Sequence, residues 1–202
     1  MFARWLLYVF LTFSLALAIP ATGHASATDE VRTAVNEVIR IVGDKEMKKP
    51  QNDAKRRKSL KAAIGSIFDY DEMTRRTMAT HWKGRNPAEK KEFTGLFETL
   101  LENSYAGKIE SYNNEKIIYQ KEIIDGEYAE VKSKLVTPKR DEYQLDYRLM
   151  KKGGKWMVYD VVIEGVSLVS NYRTQFNKVI SSQGYPELVR KLKAKSKEIS
   201  LP

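Results

Sequence analysis

Apolar positions along the chain follow a helical period, then an alternating one, then a helical one again. Val31, Val35, Val38, Ile39 and Val42 recur at helical spacing, and Gly43 ends that run. A charged connection, "DKEMKKPQND", brings in Asn52 or Asp53 as the cap of a second helix carrying Leu60, Ala63, Ile64 and Ile67. Asp69 or Asp71 can open a short helix with Met73 and Met78, followed by Trp82. Asn86, Pro87 and Glu89 then combine an N-cap, a proline at the first helical position and a capping-box-like acid. The helix they open lines up Phe93, Leu96, Phe97, Leu100, Leu101 and Tyr105 on one face. A stripe that wide needs a large partner, and a curved sheet is the expected one.

After that helix the period drops to two. "EKIIYQKEII" ends at the Asp125–Gly126 turn signal. "EYAEVKSKLV" sets Ala129, Val131, Ser133 and Leu135 against Glu130, Lys132 and Lys134. "EYQLDYRLM" sets Tyr143, Leu145, Tyr147 and Leu149 against Gln144, Asp146 and Arg148. Gly153–Gly154 makes a second tight hairpin into "KWMVYDVVIE". This last strand is apolar on both faces: Tyr159, Val161 and Ile163 alternate with Val158, Asp160 and Val162. Its second face must therefore touch something oily. The helical period then returns at Leu168, Val169, Tyr172, Phe176, Val179 and Ile180, and a final helix starts near Pro186. The order predicts one α+β domain, a curved four-stranded antiparallel sheet with helices packed on its concave face. That shape resembles the NTF2-like and cystatin-like cones, a likeness of fold that carries no chemistry.

The first segment falls outside this plan. It has Arg4, an oily run from Trp5 to Ile19, Pro20, and small residues at Ala25–Ser26–Ala27. It reads as a secretory signal peptide over residues 1–27, with a single domain over 28–202. The oily run is shorter than the ~20 residues a membrane span needs. The chain has no cysteine, which excludes an acylated lipoprotein anchor and any disulfide. An exported, disulfide-free domain of this size fits the bacterial periplasm. Lys and Arg number 35 against 26 Asp and Glu, for a formal net charge of +9. Export argues against nucleic acid, so anionic lipid or acidic protein is the expected complement. The basic run "KRRKSLK" lacks interleaved aromatics and reads as a solvated helix face.

Catalytic chemistry is sparse. His24 belongs to the leader, leaving His81 as the lone histidine. No HExxH, GxSxG, Walker-type or GxGxxG pattern occurs, and no metal-ligand spacing is present. No catalytic residue, metal or cofactor is expected. The one enzyme reading is an isomerase-like site with Asp160 as a base of raised pKa. Against it, a buried carboxylate needs a partner, and Arg173 or a nearby backbone group is the expected one.

Five stretches together resemble the MlaC family, also called the toluene-tolerance auxiliary-component family. They are F-D-x-x-x-M-x-R at Phe68–Arg75, His81–Trp82, E-F-x-x-L-F-x-x-L-L at Glu92–Leu101, YAGKI at Tyr105–Ile109, and the long run Trp156–Phe176. The resemblance implies a non-enzymatic, monomeric periplasmic shuttle for a diacyl phospholipid. It would exchange cargo with an outer-membrane lipoprotein–porin complex and with an inner-membrane ABC transporter bearing an MCE-domain subunit, maintaining outer-membrane lipid asymmetry. A hopanoid-carrying branch remains an alternative. The resemblance implies an oily lining from Leu100, Leu101, Tyr105, Ile109, Tyr147, Leu149, Trp156, Val158, Val162, Tyr172 and Phe176. Arg173 and Arg148 are the candidates for the headgroup or cavity mouth.

Overall fold

The computed structural model describes residues 25–198. Residues 1–24, which carry most of the expected leader, lie outside the described part. Among the described residues no helix is long and apolar enough to cross a membrane.

Helix α1 (Ala27–Gly43) is capped by Ser26, whose side chain accepts a hydrogen bond from the Asp29 amide at 3.1 Å. It lies on the sheet with Ala27, Val31 and Ala34 buried. Its start is fastened to the sheet by Thr28, whose amide and hydroxyl donate to the Glu122 carboxylate at 2.6 and 2.7 Å. Helix α2 (Asp53–Gly65) packs Leu60 and Ala63 onto Ile41 and Val42 of α1.

The sheet is an open antiparallel meander in chain order: β1 (Lys116–Asp125), β2 (Tyr128–Val136), β3 (Glu142–Lys152), β4 (Lys155–Ile163) and β5 (Val166–Ser167). The fifth strand, of two residues, is an addition to the four expected. Lys152 opposes Lys155 across a two-residue turn in which Gly153 and Gly154 both have positive φ, at 58° and 83°. Only glycine adopts that pair of conformations without strain. One bulge falls in β4: Leu149 opposes Val158 and Arg148 opposes Asp160, so Tyr159 is the extra residue. Residues 67–69 cover part of the free edge of β4. The Val158 amide donates to the Ile67 carbonyl at 2.7 Å, and the Asp69 amide donates to the Val158 carbonyl at 2.9 Å.

The remaining helices form a second layer: α3 (Tyr70–Met78), α4 (Pro87–Glu110), α5 (Leu168–Gln183) and α6 (Tyr185–Glu198). The expected capping box at Asn86 and Glu89 is present, with both reciprocal bonds at 2.9 Å. The partner of α4 differs from the expectation. Phe93, Phe97, Leu100 and Leu101 pack among α3, α5 and α6, while α1 is the helix spread on the sheet. The α4 stripe is wide because it sits inside a helical core.

Besides the small cluster between α1 and α2, two larger apolar clusters result. The sheet cluster joins Ala27, Val31, Ala34, Ala129, Val131, Tyr147, Leu149, Trp156, Val158 and Val161, among others. The helical cluster joins Met73, Met78, Phe93, Phe97, Leu100, Leu101, Val169, Phe176 and the buried face of α6. The bulge explains the two oily faces of β4. Trp156, Val158 and Val161 face the sheet cluster, whereas Tyr159 packs against the helical one.

Candidate lipid-binding site

The eleven lining candidates divide between the clusters. Tyr147, Leu149, Trp156 and Val158 lie in the sheet cluster; Leu100, Leu101, Tyr172 and Phe176 belong to the helical one. Tyr105 packs against both. Ile109, one turn on, packs instead against Ile41, Val42, Leu60 and Ala63. Val162 is buried on the β4–β5 ladder, opposite Ser167. Sequence reasoning missed Phe68, which also packs against both clusters and stacks on Tyr70 with ring centroids 6.0 Å apart. It lay inside the F-D-x-x-x-M-x-R stretch, but nothing in its spacing marked it as a bridge.

The seam between the clusters is apolar and its tyrosines are desolvated. Burial raises the pKa of Tyr105 and of Tyr147, and pushes Tyr119 of β1 up to about 12 against a smaller opposing effect of Arg32. Arg32 lies over the Tyr119 ring, 4.9 Å from its centroid.

Asp160 is buried and fully bonded. It is 2 % exposed, and three donors reach its two oxygens. The Val169 amide donates to Oδ1 at 3.0 Å, the Ser167 hydroxyl to Oδ2 at 2.6 Å, and Arg148 Nη1 to Oδ2 at 3.2 Å. The Val169 amide belongs to the first turn of α5, so the carboxylate also meets the positive end of that helix. Asp160 thereby ties β4 to α5, with both oxygens engaged by groups that hold the fold.

Of the two expected partners, the nearby backbone group is present as the Val169 amide, but the cation is corrected: it is Arg148, not Arg173. Arg173 donates from Nε to the Arg76 carbonyl at 2.9 Å. It lines a surface pocket of about 230 Å³ with Thr77, Met78, Ala79, His81, Thr174 and Asn177. His81 Nε2 lies 2.9 Å from Asn177 Oδ1 in the same pocket. Arg148, also near Glu130 at 3.7 Å, stands on the polar face of the sheet. The two arginines are therefore not brought together at one mouth. A second groove, of about 410 Å³, is lined by Phe68, Asp69, Tyr70, Asp71, Thr94, Glu98, Lys152 and Met157. Lys152 and Asp69 form an ion pair there at 2.7 Å. Among the described residues no group of His, Asp and Glu is arranged to hold a metal ion.

The protein is thus an α+β domain whose sheet and helical layers meet along an apolar seam. The chain belongs to the MlaC family: the pattern that defines the MlaC protein matches residues 32–194. It is similar to the toluene tolerance protein ttg2D of Pseudomonas putida, 25% identical over 186 residues, which cover 90% of this chain and 83% of that protein. It is also similar to the intermembrane phospholipid transport system binding protein MlaC of Haemophilus influenzae. That match is 25% identical over 122 residues, 58% of this chain, and spans only 57% of the Haemophilus protein's length. A solved structure, the phospholipid-binding protein from Ralstonia solanacearum in complex with a phospholipid, superposes with a TM-score of 0.79 at 28% identity. The superposition covers 87% of this chain and 99% of that one.

Proposed function

We propose that the protein is a periplasmic carrier that holds a diacyl phospholipid, tails inward, at the seam between its sheet and helical layers. The observation that carries this reading is the likeness to a phospholipid-bound relative over nearly the whole domain, together with two apolar clusters that meet at Phe68 and Tyr105. The physical need is plain. Each CH₂ held out of water is worth about 0.8 kcal/mol, so an acyl chain crosses an aqueous gap only when covered. Leu100, Leu101, Tyr172 and Phe176 on one side, and Tyr147, Leu149, Trp156 and Val158 on the other, are the walls that would part around it.

In this reading the cargo passes between an outer-membrane lipoprotein–porin complex and an inner-membrane ABC transporter with an MCE-domain subunit, and the traffic maintains outer-membrane lipid asymmetry. The protein acts as a monomer and catalyses no reaction. The engaged state of Asp160 supports a structural rather than a catalytic part for it. Arg173, beside His81, is the better placed of the two arginines to meet a phosphate, because its Nη atoms are left for a ligand once Nε is bonded to Arg76.

The test is native mass spectrometry of protein purified from the periplasm without detergent, followed by lipid extraction. Stoichiometric diacyl phospholipid is the expected result. A recovered hopanoid would reassign the cargo. Protein that carries nothing and takes no lipid from liposomes would end the carrier reading.

A further inference from the structure

The net charge of the protein is concentrated at one corner. Residues 45–61 hold eight Lys or Arg against Glu46 and Asp53 alone, most of the excess in a chain whose formal net charge is +9. They span the α1–α2 connection and most of α2. Elsewhere the numbers nearly balance, 27 Lys or Arg against 24 Asp or Glu, and several are paired: Arg40 with Glu37, Arg75 and Arg76 with Glu72, Lys132 with Glu130 and Asp146, Arg190 with Glu187. At this corner Lys45, Lys48, Lys55, Arg57 and Lys58 are all exposed and stand in no ion pair among the described residues.

The shape of α2 adds to this. Leu60 and Ala63 turn inward onto α1. Steps of about 100° per residue then put Ala54, Lys55, Lys58, Lys61, Ala62 and Gly65 on the outer face, and all six are exposed. That face is lysine on a bed of Ala and Gly; Lys61 at its edge pairs with Glu98 and Glu102 of α4 at 3.0 and 2.8 Å, and Lys55 and Lys58 stay unpaired. The large apolar side chains that are exposed (Ile118, Ile123, Ile124, Tyr128, Tyr143 and Val166) all lie on the strands.

We propose that the outer face of α2 with the α1–α2 connection is a docking surface for an anionic lipid bilayer, touched peripherally and without insertion. The composition selects this partner over an acidic protein. Protein interfaces favour aromatics, Met and Arg at an apolar centre and are depleted in Lys, whereas this surface is lysine-rich with no apolar centre. Free lysines over small residues let ammonium groups reach a plane of phosphates, and each basic residue near such a surface strengthens binding about fivefold. The surface deepens the carrier reading, on which its purpose rests: it would hold the domain at a membrane while cargo is exchanged.

The test is co-sedimentation of the cargo-loaded mature protein with vesicles of phosphatidylglycerol and phosphatidylcholine, compared with pure phosphatidylcholine, at low and high salt. Wild-type protein is expected to bind the anionic vesicles only, and to be released by salt. The triple variant K55Q/R57Q/K58Q is expected to bind about a hundredfold more weakly, while K139Q/K155Q/K178Q, which removes the same charge elsewhere, keeps most of the binding. Equal losses in the two triple variants would reduce the effect to net charge and overturn the assignment. So would equal binding to both vesicle types. Binding of wild-type protein to a soluble polyglutamate probe but not to vesicles would move the surface to an acidic protein partner. Lipid extraction from the same preparations separates the two readings. Cargo present without charge-dependent vesicle binding defeats this inference alone, and absence of cargo defeats the carrier reading whatever the vesicles do.

Discussion

The two apolar clusters are built from different side chains and held in place by different means. In the sheet cluster most members are Ala, Val, Leu or Ile, with Tyr147 and Trp156 as the buried rings. Its backbone is already registered by the β-ladder, so its side chains fill space on a fixed surface. The helical cluster has no ladder between its elements. Its order rests on rings that interlock. Phe97 meets Tyr172 and Phe176 edge-on at 5.3 and 5.7 Å, and Phe93 meets Phe176 and Tyr185 at 5.6 and 5.8 Å. Each such pair adds about 0.5–1.5 kcal/mol beyond burial. A wall fixed by hydrogen bonds resists sliding; a wall fixed by side-chain packing can shift a little and repack. On the carrier reading, that contrast makes the sheet the rigid side of the seam and the helical layer the side expected to give way to a ligand.

The largest test of the contrast is a pair of truncations. Phe97→Ala is expected to lower unfolding free energy by about 3–5 kcal/mol, and Val158→Ala by about 2 kcal/mol, both read by urea denaturation. Equal or reversed costs would break the comparison. Next in size is Asp160→Asn, which weakens the tie between β4 and α5. A loss of about 2–3 kcal/mol is expected, from charge-assisted hydrogen bonds made to a buried carboxylate, with phospholipid still recovered from the purified protein. A variant that kept its stability but lost its cargo would give Asp160 a ligand-binding role instead. At the seam itself, Tyr105→Ala is expected to weaken phospholipid retention about tenfold, since it removes wall area from both clusters at once. Competition against vesicles measures this, and an unchanged affinity would move the cargo away from the α4 end of the seam.

The smallest effect concerns the sheet side alone. The Tyr119 hydroxyl is buried without a hydrogen-bond partner, so Tyr119→Phe should be neutral or slightly stabilising at pH 7. Its pKa is pushed up to about 12, against about 10 in the unfolded chain. The folded state holds that proton more tightly. The resulting contribution is intact below pH about 10 and is lost as the pH climbs toward 12. Unfolding midpoints across that window should fall less steeply in Tyr119→Phe than in wild type; parallel curves would show that Tyr119 is not the group responsible.

Much of this architecture was legible in the sequence because local signals carry it. The Asn86–Pro87–Glu89 start, the Asp69 cap and the Gly153–Gly154 turn are short-range chemistry, and each appears where its residues stand. What α4 packs against was not legible, since an apolar stripe records that a partner exists but not which one. The error at Asp160 has a definite origin. Counting back from the Lys152–Lys155 turn in perfect register sets Arg148 opposite Tyr159; only the bulge moves it opposite Asp160. A bulge leaves no reliable mark on composition or period, so Arg148 did not stand out, and Arg173, in the segment that follows the strand, looked the better partner. The candidate lining residues were readable as apolar and periodic. Their division between two clusters was not, because it depends on that bulge and on how α5 leaves the sheet.

The clasp between Thr28 and Glu122 joins residues 94 positions apart. Helix α1 is thus the first described segment to be made and among the last able to settle. Its inward side, with Val31 and Ala34, has no surface to cover until β2 and β4 have been made and paired. Hairpins and the α1–α2 pair can form locally, but the sheet cluster cannot close before β4 has been made. For a chain read as exported, that timing is useful: its sheet core stays open while most of the chain threads through a translocation pore, and closes afterwards.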